Sequence, residues 1–348
     1  MARILVRCPN HVGDVVMSTP GLAALRAAHP DAEIVAQLPA PLAPLLEGAG
    51  LVDAIWSLPP RSAGRMALLR EARRIAAHRF DLGIAIPESI SSALLMRLGR
   101  IRRVVGFARD PLRRGLLHVR VPADPAWGRR RLVSRERFVL RLVEAAGAKP
   151  IDGPPRLVLA TTEDEAARLD AVAGPLGLSR AALPRVRPVV IAPGAGFGEA
   201  KCWPPASFGA LADALIGRGV TVVLVGAPGE QERIAAVRRA MTRAPIVLDG
   251  VLDLGGLKVL LQHARLLVAN DAGTRHVAAA FGVPSVVFFG PTAVAKTPDN
   301  LERVAVLETE HACRPCYRRR CPIDHRCLRD VSVGSALEAA LGIVEQGA

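Results

Sequence analysis

Residues 268–292, VANDAGTRHVAAAFGVPSVVFFGPT, carry the pattern that decides the fold. They predict the end of a strand, an acidic turn, a helix, a second strand and a Gly-Pro-Thr turn. Asp271 stands where the first strand ends, and His276 falls in the first turn of the helix. Ligands of open α/β sheets bind outside the carboxyl ends of strands, where helix N-termini offer N–H groups to anions. An acidic strand end can also be a plain helix cap. The crowding of polar residues favours a phosphate-binding pocket.

The same alternation of strand and helix runs along most of the chain and predicts parallel sheets covered on both faces. The Pro- and Gly-containing segment 149–155 predicts a linker. We therefore expect Rossmann-like α/β domains over residues 1–155 and 156–330, and a final helix within 331–348 that packs back across the domains. The predicted strands are 3–7, 32–37, 54–57, 82–86 and 103–105 in the first domain, and 189–192, 221–225, 246–248, 266–268 and 285–288 in the second.

Composition limits the class of protein. The chain has 348 residues, of which 50% are hydrophobic and only 3% aromatic. That length suits two domains. The scarcity of aromatic side chains argues against a binder of single-stranded nucleic acid, which needs stacking platforms. The first ten residues predict a strand rather than a signal peptide, and Gly and Pro interrupt the longest uncharged run, 277–295. We expect a cytoplasmic protein.

The formal net charge is +14, and only four of the 46 basic residues are lysine. Arginine forms bidentate contacts with phosphate and carboxylate groups. The excess therefore suits an acidic partner: a nucleic acid, an anionic membrane surface or a phosphorylated substrate. A general compositional preference for arginine would also account for many of these residues.

Two further strand ends carry charged residues that suit catalysis or anion binding. Asp14 lies in NHVGDVVMST (10–19), and the pattern predicts equally a general base and a helix cap. Lys201 lies in PGAGFGEAKCWPP (193–205), a Gly-rich loop with the spacing of neither a dinucleotide fingerprint nor a P-loop. A lysine beside such a loop suits neutralisation of phosphate charge, and a flexible surface loop is the alternative.

Glu230, in VGAPGEQE (225–232), opens a predicted helix. A carboxylate at this place accepts hydrogen bonds from ribose hydroxyls in nucleotide sites. Taken alone, the simpler interpretation is an acid favoured by the helix dipole.

A cysteine cluster near the C-terminus has the spacing C-x2-C-x4-C-x5-C, with two histidines nearby. Such density suggests a structural metal, but the second pair is too widely spaced for an ordinary zinc ribbon. Reduced thiols that pack a loop are the favoured alternative. The cluster comprises Cys313, Cys316, Cys321 and Cys327.

Four motifs occur in an order that resembles glycosyltransferase family 9, the bacterial lipopolysaccharide heptosyltransferases. They are VGDVVMSTP at 12–20, PGAGFGEAKCWP at 193–204, VGAPGE at 225–230 and NDAGTRHVAAAFGVPSVVFFGPT at 270–292. The first motif and the CRPC…CP…H-x-CL segment look most like the heptosyltransferase II group. The resemblance implies a GT-B fold, with two Rossmann-like domains that face a central cleft.

The resemblance also implies a reaction. It implies inverting transfer of L-glycero-D-manno-heptose from ADP-heptose, without a catalytic metal, to a lipid A–Kdo–heptose acceptor at the inner face of the cytoplasmic membrane. Carried over by position, Asp14 would be the general base, Lys201 would stabilise the donor phosphates and Glu230 would bind the ribose. The donor diphosphate and sugar would be held by Asp271, Gly273, Thr274 and His276.

One residue departs from the family pattern: Ala272 stands where a Ser or Thr often follows the motif aspartate. Thr274 is the nearest hydroxyl that can replace the lost contact. We expect arginines of the first domain to meet the acidic acceptor, with Arg61, Arg65 and Arg103 as candidates. Two alternatives stay open: a transferase or epimerase that uses another nucleotide sugar, and a non-catalytic nucleic-acid-binding protein.

Overall fold

The structure is a computed structural model that describes residues 1–59, 64–108, 110–122, 125 and 133–346. The chain divides into two compact units, Met1–Ala160 and Thr161–Ala348, close to the boundary that the linker predicts. Each unit contains a parallel six-stranded sheet with helices between successive strands. The predicted α/β class is therefore confirmed.

The first sheet has the order β3-β2-β1-β4-β5-β6, and all its described pairings are parallel. The order reverses between β1 and β4, where the loops after these two strands diverge. The strands are β1 (Arg3–Arg7), β2 (Glu33–Leu38), β3 (Ala54–Ser57), β4 (Leu82–Ala85), β5 (Arg103–Phe107) and β6 (Val119–Val121).

Helices of the first unit connect these strands or follow the last of them. A 3₁₀ helix, Ala40–Leu45, follows β2 and contains Pro44, which lacks a backbone N–H. The α-helices are α1 (Val12–Val16), α2 (Thr19–Ala28), α3 (Gly64–His78), α4 (Ile90–Leu98), α5 (Pro111–Leu116) and α6 (Arg135–Glu144).

The second sheet repeats the pattern, with the order β12-β11-β10-β7-β8-β9 and parallel pairing throughout. Its order reverses between β7 and β10. The strands are β7 (Val189–Ala192), β8 (Val222–Gly226), β9 (Ile246–Asp249), β10 (Leu266–Asn270), β11 (Ser285–Phe289) and β12 (Val304–Glu308).

The second unit has helices on both sides of its sheet and a long C-terminal helix. They are α7 (Glu163–Ala173), α8 (Leu183–Val186), α9 (Pro205–Ile216), α10 (Gln231–Arg239), α11 (Leu254–Gln262), α12 (Gly273–Ala280), α13 (Arg326–Arg329) and α14 (Val333–Gln346). The final helix, α14, packs on α9 and on β10, β11 and β12 within this unit. Among the described residues, no helix has the length and apolar character needed to cross a bilayer.

The edge strands β6 and β12 were not predicted. β6 has only three residues with an exposed arginine at its centre, and β12 is only partly buried, so neither shows the apolar run of a central strand. The ten predicted strands are all present, with ends shifted by two residues or fewer.

A buried ion pair joins α7 to α11. Lys258 Nζ lies 2.8 Å from Glu165 Oε1, and both side chains are fully buried. Glu165 also closes the capping box at the start of α7, where its Oε2 accepts a hydrogen bond from the backbone N–H of Thr162 at 2.9 Å. The same two helices share a second, exposed pair, with Arg168 Nε 3.0 Å from Asp253 Oδ2.

Replacing Lys258 by Met should lower the free energy of unfolding by about 3–5 kcal/mol, because a buried carboxylate loses its counter-charge. Arg168→Met removes the exposed pair between the same helices and should cost at most about 1 kcal/mol. Denaturant unfolding of both variants measures the difference. Equal costs for the two variants would contradict the importance of the buried pair.

Candidate functional site

The candidate site of the second unit lies where its strand order reverses. β7 and β10 are neighbours there, and β11 lies beside β10, so their carboxyl ends meet at one edge. The segments that follow these strands are 193–204, 271–272 and 290–293. They carry the residues that the sequence motifs single out.

Asn270 fixes the Gly-rich segment at both ends. Its Oδ1 accepts a hydrogen bond from the backbone N–H of Trp203 at 2.9 Å, and its Nδ2 donates to the carbonyl of Pro193 at 2.8 Å. Trp203 is fully buried, with its ring 4.2 Å from that of Phe288. The segment between these anchors contains a 3₁₀ turn, Glu199–Lys201, which places Lys201 beside the end of β10.

Lys201 and Asp271, which lie 70 residues apart in sequence, form the central contact of the site. Lys201 Nζ donates to Asp271 Oδ2 at 2.6 Å and to the Asp271 carbonyl at 2.8 Å. Both side chains are mostly buried, with 14% and 10% exposure. The structure thus brings together two residues that the sequence analysis selected separately.

Arg275 and Thr292 complete the surroundings of the Asp271 carboxylate. Arg275 Nε donates to Asp271 Oδ1 at 3.0 Å, and Thr292 Oγ1 donates to Oδ2 at 2.7 Å. Arg275 is almost fully buried and also donates through Nη2 to Thr297 Oγ1. Neither residue was predicted. Asp271, just before α12, and Arg275, in its first turn, are four residues apart, and this spacing was the available signal for Arg275.

Burial by itself would raise the pKa of Asp271, but the positive charges of Lys201 and Arg275 outweigh it and hold that pKa below its ordinary value. Asp271 is therefore ionised at neutral pH. Two cations around one carboxylate leave this cluster with a net positive charge, which favours an anionic ligand.

The first turn of α12 borders this cluster. Ala272 occupies the N-cap position and supplies no side-chain hydrogen bond, whereas a Ser or Thr there would accept one from the first turn. Gly273 and Thr274 follow, half-exposed. Because Ala272 replaces the Ser or Thr of the family pattern, α12 lacks a side-chain hydroxyl at its N-cap.

His276 lies deeper in the same turn. Its side chain is 4% exposed, and its Nδ1 has no hydrogen-bond partner among the described residues. Burial and the nearby charge of Arg275 hold the pKa of His276 well below its ordinary value, so the ring is neutral at pH 7. An unpaired, buried ring nitrogen beside a cationic cluster is suited to a polar ligand atom.

Glu230 lies over the start of the Gly-rich segment. Its Oε2 accepts a hydrogen bond from the backbone N–H of Ala227 at 2.9 Å, and the residue is the N-cap of α10. A Cβ atom at Gly194 would be 2.1 Å from Glu230 Cδ, so a larger residue there would displace the Glu230 carboxylate from this position. The structure therefore brings Glu230 to the segment that also carries Lys201.

The cysteine-containing segment, 309–331, supports two of the site's segments. The carbonyl of Arg319 accepts a hydrogen bond from Ala200 N at 3.1 Å, and His325 Nε2 lies 2.8 Å from the Ala200 carbonyl. On the other side, Tyr317 N donates to the Pro291 carbonyl at 2.9 Å. The cysteine spacing predicts only a metal or thiol cluster here and gives no signal for these contacts with the loops.

The four thiols are free and range from buried Cys327 to exposed Cys313. Burial raises the pKa of Cys327, and the neighbouring thiols of Cys313, Cys321 and Cys316 act in the same direction. Within the described ranges, no set of three or more His, Cys, Asp or Glu side chains is arranged to hold a metal ion. A structural metal at this cluster stays a prediction.

Asp14 lies in the corresponding place of the first unit. It is in α1, which follows β1 at the reversal point of the first sheet. Its side chain is 35% exposed, and its Oδ1 is 3.9 Å from Arg135 Nε. Asp14 is therefore open to a ligand, and Arg135 is its cationic neighbour within the described part of the chain, a contact that sequence position does not reveal.

Of the three predicted acceptor arginines, Arg103 has a described side chain, and it does not lie near Asp14. Arg103 begins β5 and pairs with Leu82 at the start of β4, so it lies at the amino edge of the sheet, opposite the edge that carries Asp14. There its Nη2 donates to the carbonyl of Ala145 at 3.4 Å. This position argues against a role for Arg103 beside the reacting hydroxyl. Arg61 and the side chain of Arg65 lie outside the described residues.

Replacing Asp271 by Asn should destabilise the protein at pH 7 by about 3–5 kcal/mol, because two largely buried cations lose their shared counter-charge. The pKa of this carboxylate is lower in the folded protein than in the unfolded chain. Its ionised form therefore adds to the free energy of unfolding at any pH above the unfolded-state pKa. This contribution is lost as the pH falls through the folded-state pKa. The deficit should therefore be constant from neutral pH down to about pH 5 and shrink below about pH 4. Denaturant unfolding at a series of pH values measures it.

The matched control is Glu232→Gln, which removes an exposed pair with Arg239 in the same unit. It should change the free energy of unfolding by at most about 1 kcal/mol at every pH. A deficit for Asp271→Asn that is absent at pH 7, or that does not shrink in acid, would contradict the shared-charge description.

The model of glycosyltransferase family 9 (heptosyltransferase) matches residues 68–326. The chain is 31% identical to lipopolysaccharide heptosyltransferase 2 of Salmonella typhimurium, over 88% of this chain and 87% of that protein. The solved structure of ADP-heptose LPS heptosyltransferase II from E. coli is 26% identical, with a TM-score of 0.80 and coverage of 99% of both chains.

These similarities agree with the two six-stranded, Rossmann-like units, so the predicted GT-B class is confirmed. A second solved structure, a family 9 glycosyltransferase from Veillonella parvula, shares the fold with a TM-score of 0.82 at 23% identity. The chain belongs to glycosyltransferase family 9, the family of the heptosyltransferases.

Proposed function

We propose that this glycosyltransferase moves L-glycero-D-manno-heptose from ADP-heptose to the inner core of lipopolysaccharide. The observation that carries the proposal is the net-positive cluster of Lys201, Asp271 and Arg275 at the reversal point of the second sheet. Its placement suits a diphosphate, and the lipopolysaccharide heptosyltransferases 2 of Salmonella typhimurium and E. coli are similar to this chain over 88% of its length.

The proposed reaction is a single displacement with inversion. An acceptor hydroxyl loses its proton to a base as its oxygen attacks the anomeric carbon, and the bond from that carbon to the donor phosphate breaks. ADP leaves with the electron pair, so negative charge grows on the diphosphate. The enzyme must supply a proton acceptor on one side and fixed positive charge on the other.

Asp14 is the proposed base. Its carboxylate lies at the carboxyl edge of the first sheet and is partly exposed, as a group that must meet an incoming hydroxyl requires. Arg135 Nε, 3.9 Å away, is beyond hydrogen-bond distance and places a positive charge beside the carboxylate.

Lys201 is the proposed source of positive charge at the leaving group. An ammonium has three N–H groups, and two of those of Lys201 are directed to Asp271. The third is available to a phosphate oxygen. Because Asp271 also binds Arg275, the charge of Lys201 is only partly neutralised by this contact.

The remaining donor contacts are proposed from the residues around this cluster. The N–H groups of the first turn of α12, at Gly273 and Thr274, face a site suited to the diphosphate. His276 is proposed to hydrogen-bond a donor hydroxyl through its unpaired Nδ1, and Glu230 to bind the ribose.

We propose that catalysis needs no metal ion, since Lys201 and the helix terminus can meet the charge of the leaving diphosphate. A structural metal at the cysteine cluster is a separate hypothesis. Metal analysis of purified protein tests it, and protein without bound zinc or iron would leave the reduced-thiol interpretation.

The proposed acceptor, lipid A–Kdo–heptose, is anchored in a membrane, so we propose peripheral association with the inner face of the cytoplasmic membrane. The net charge of +14 supports attraction to anionic lipid headgroups and to a phosphorylated acceptor.

The most direct test of the function is a donor screen. ADP-heptose, UDP-sugars and GDP-sugars are offered with a defined inner-core acceptor, and the product is identified by mass spectrometry. Transfer from ADP-heptose alone supports the proposal. Transfer only from another nucleotide sugar, or epimerisation without transfer, would replace it.

Asp14→Asn should lower kcat by about 10²–10⁴-fold, because the hydroxyl loses its proton acceptor. The affinity for ADP should be unchanged, since Asp14 belongs to the first unit and the proposed donor contacts belong to the second. Asp31→Asn, which alters an exposed carboxylate of the first unit, is the matched control and should be active. Wild-type turnover in Asp14→Asn would remove the base assignment.

Lys201→Ala should weaken ADP binding and should lower kcat by about 10²–10³-fold, because a fixed positive charge at the leaving group is lost. Lys149→Ala removes an exposed lysine of the first unit and should leave both constants unchanged. Calorimetric titration with ADP and steady-state kinetics provide the two readouts. Unchanged values in Lys201→Ala would exclude this residue from the donor site.

A further inference from the structure

One surface of the first unit has features that the proposed chemistry does not use. Helices α3 and α4 pack side by side, and both follow strands, β3 and β4, at the carboxyl edge of the sheet where Asp14 lies. We define the α3–α4 face by the exposed side chains of these helices and of the residue that follows them: Met66, Leu69, Arg70, Arg73, Ile90, Leu98 and Arg100.

Large apolar side chains are exposed on both helices. Met66 is 65% exposed and Leu69 42% on α3, while Ile90 is 41% and Leu98 43% on α4. Ile90 and Leu98 are eight residues apart, with half-buried Leu94 between them, so they form one stripe along α4. A groove joins the two helices, and its lining combines the apolar side chains of Leu69, Ala72, Ala76 and Leu98 with Arg73 and Arg100.

The charged groups of this face are all basic. Glu71, the only carboxylate in either helix, is buried, and its Oε1 accepts a hydrogen bond from Gln37 Nε2 at 2.7 Å. The guanidinium of Arg74 lies 3.8 Å from the Trp56 ring centre, whereas Arg70, Arg73 and Arg100 have no acidic partner among the described residues. Guanidinium groups without partners, set among exposed apolar side chains, are complementary to an anionic and partly apolar ligand.

We propose that the α3–α4 face docks on an anionic phospholipid bilayer. The apolar side chains enter the boundary between headgroups and acyl chains, while the arginines bind headgroup phosphates, as on helices that lie in the plane of a membrane. Both helices run from the edge that carries Asp14 to the opposite edge, so docking lays one side of the first unit on the bilayer that holds the proposed acceptor. The inference identifies a surface for the membrane association in the proposed function, and its vesicle test does not depend on transferase activity.

The test is binding of the full chain to vesicles of phosphatidylcholine alone or mixed equally with phosphatidylglycerol. Wild type should bind the mixed vesicles at least about tenfold more tightly, with affinity falling as salt rises. Leu69→Ser/Leu98→Ser and Arg70→Gln/Arg73→Gln should each weaken binding by about tenfold or more, the first by loss of apolar insertion and the second by loss of headgroup contacts.

Matched controls change exposed residues of the second unit. Leu176→Ser/Val251→Ser removes two apolar side chains that are 48% and 54% exposed, and Arg218→Gln/Arg238→Gln removes two exposed arginines. Both controls should bind like wild type. Equal loss in the controls, or wild-type binding by the Leu69/Leu98 variant, would overturn the proposal in favour of non-specific charge attraction. Tighter binding to a nucleic acid than to mixed vesicles would also overturn it.

A kinetic comparison separates this inference from the proposed function. With a deacylated, water-soluble core acceptor, the Leu69→Ser/Leu98→Ser variant should transfer at the wild-type rate. With acceptor embedded in mixed vesicles, its KM should rise by about tenfold. An equal loss on both acceptors would show a folding or catalytic defect and overturn the docking role, whereas absence of transfer in wild type would refute the function without affecting the vesicle result.

Discussion

The Asp271 carboxylate is the group on which the candidate donor site depends. It accepts hydrogen bonds from Lys201, Arg275 and Thr292, which lie in three different segments of the second unit. A buried carboxylate of this kind is stable only because its charge is balanced and its oxygens are bonded. The hydrogen bonds from Lys201 also fix the position of its ammonium group. The Asp271 carboxylate therefore stabilises the loops and orients the Lys201 ammonium, which is proposed to contact the leaving diphosphate.

Rigid elements hold this network in place. Asn270 ties the Gly-rich segment to the end of β10, and the buried ring of Trp203 anchors the same segment in the core. The segment 309–331 bonds to the backbone of both the Gly-rich segment and the Gly-Pro-Thr turn. Loops supported on two sides keep charged groups in a fixed geometry, which is what electrostatic stabilisation of a transition state requires.

The fold could be predicted well because each central strand is an apolar run bounded by turn residues. The edge strands β6 and β12 were missed because they are short or only partly buried. For the candidate site, motif position selects Asp14, Lys201, Glu230 and Asp271, and their roles stay predictions; it does not show that Lys201 and Asp271 are in contact. Arg103 was selected by its charge alone. The direction of β5 places it at the amino edge of the first sheet, opposite the edge that carries Asp14.

By itself, the sequence determined the order of strands and helices, the polar residues at strand ends and the family resemblance, since these depend on local periodicity and spacing. Tertiary structure decided which strand ends become neighbours, because sheet order and register follow from packing across the whole unit. It therefore decided that Arg275 and Thr292 share one carboxylate with Lys201 and that Arg70, Arg73 and Arg100 lie beside exposed leucines. Contacts between residues 70 positions apart, such as Lys201 and Asp271, are set by the fold and cannot be read from spacing.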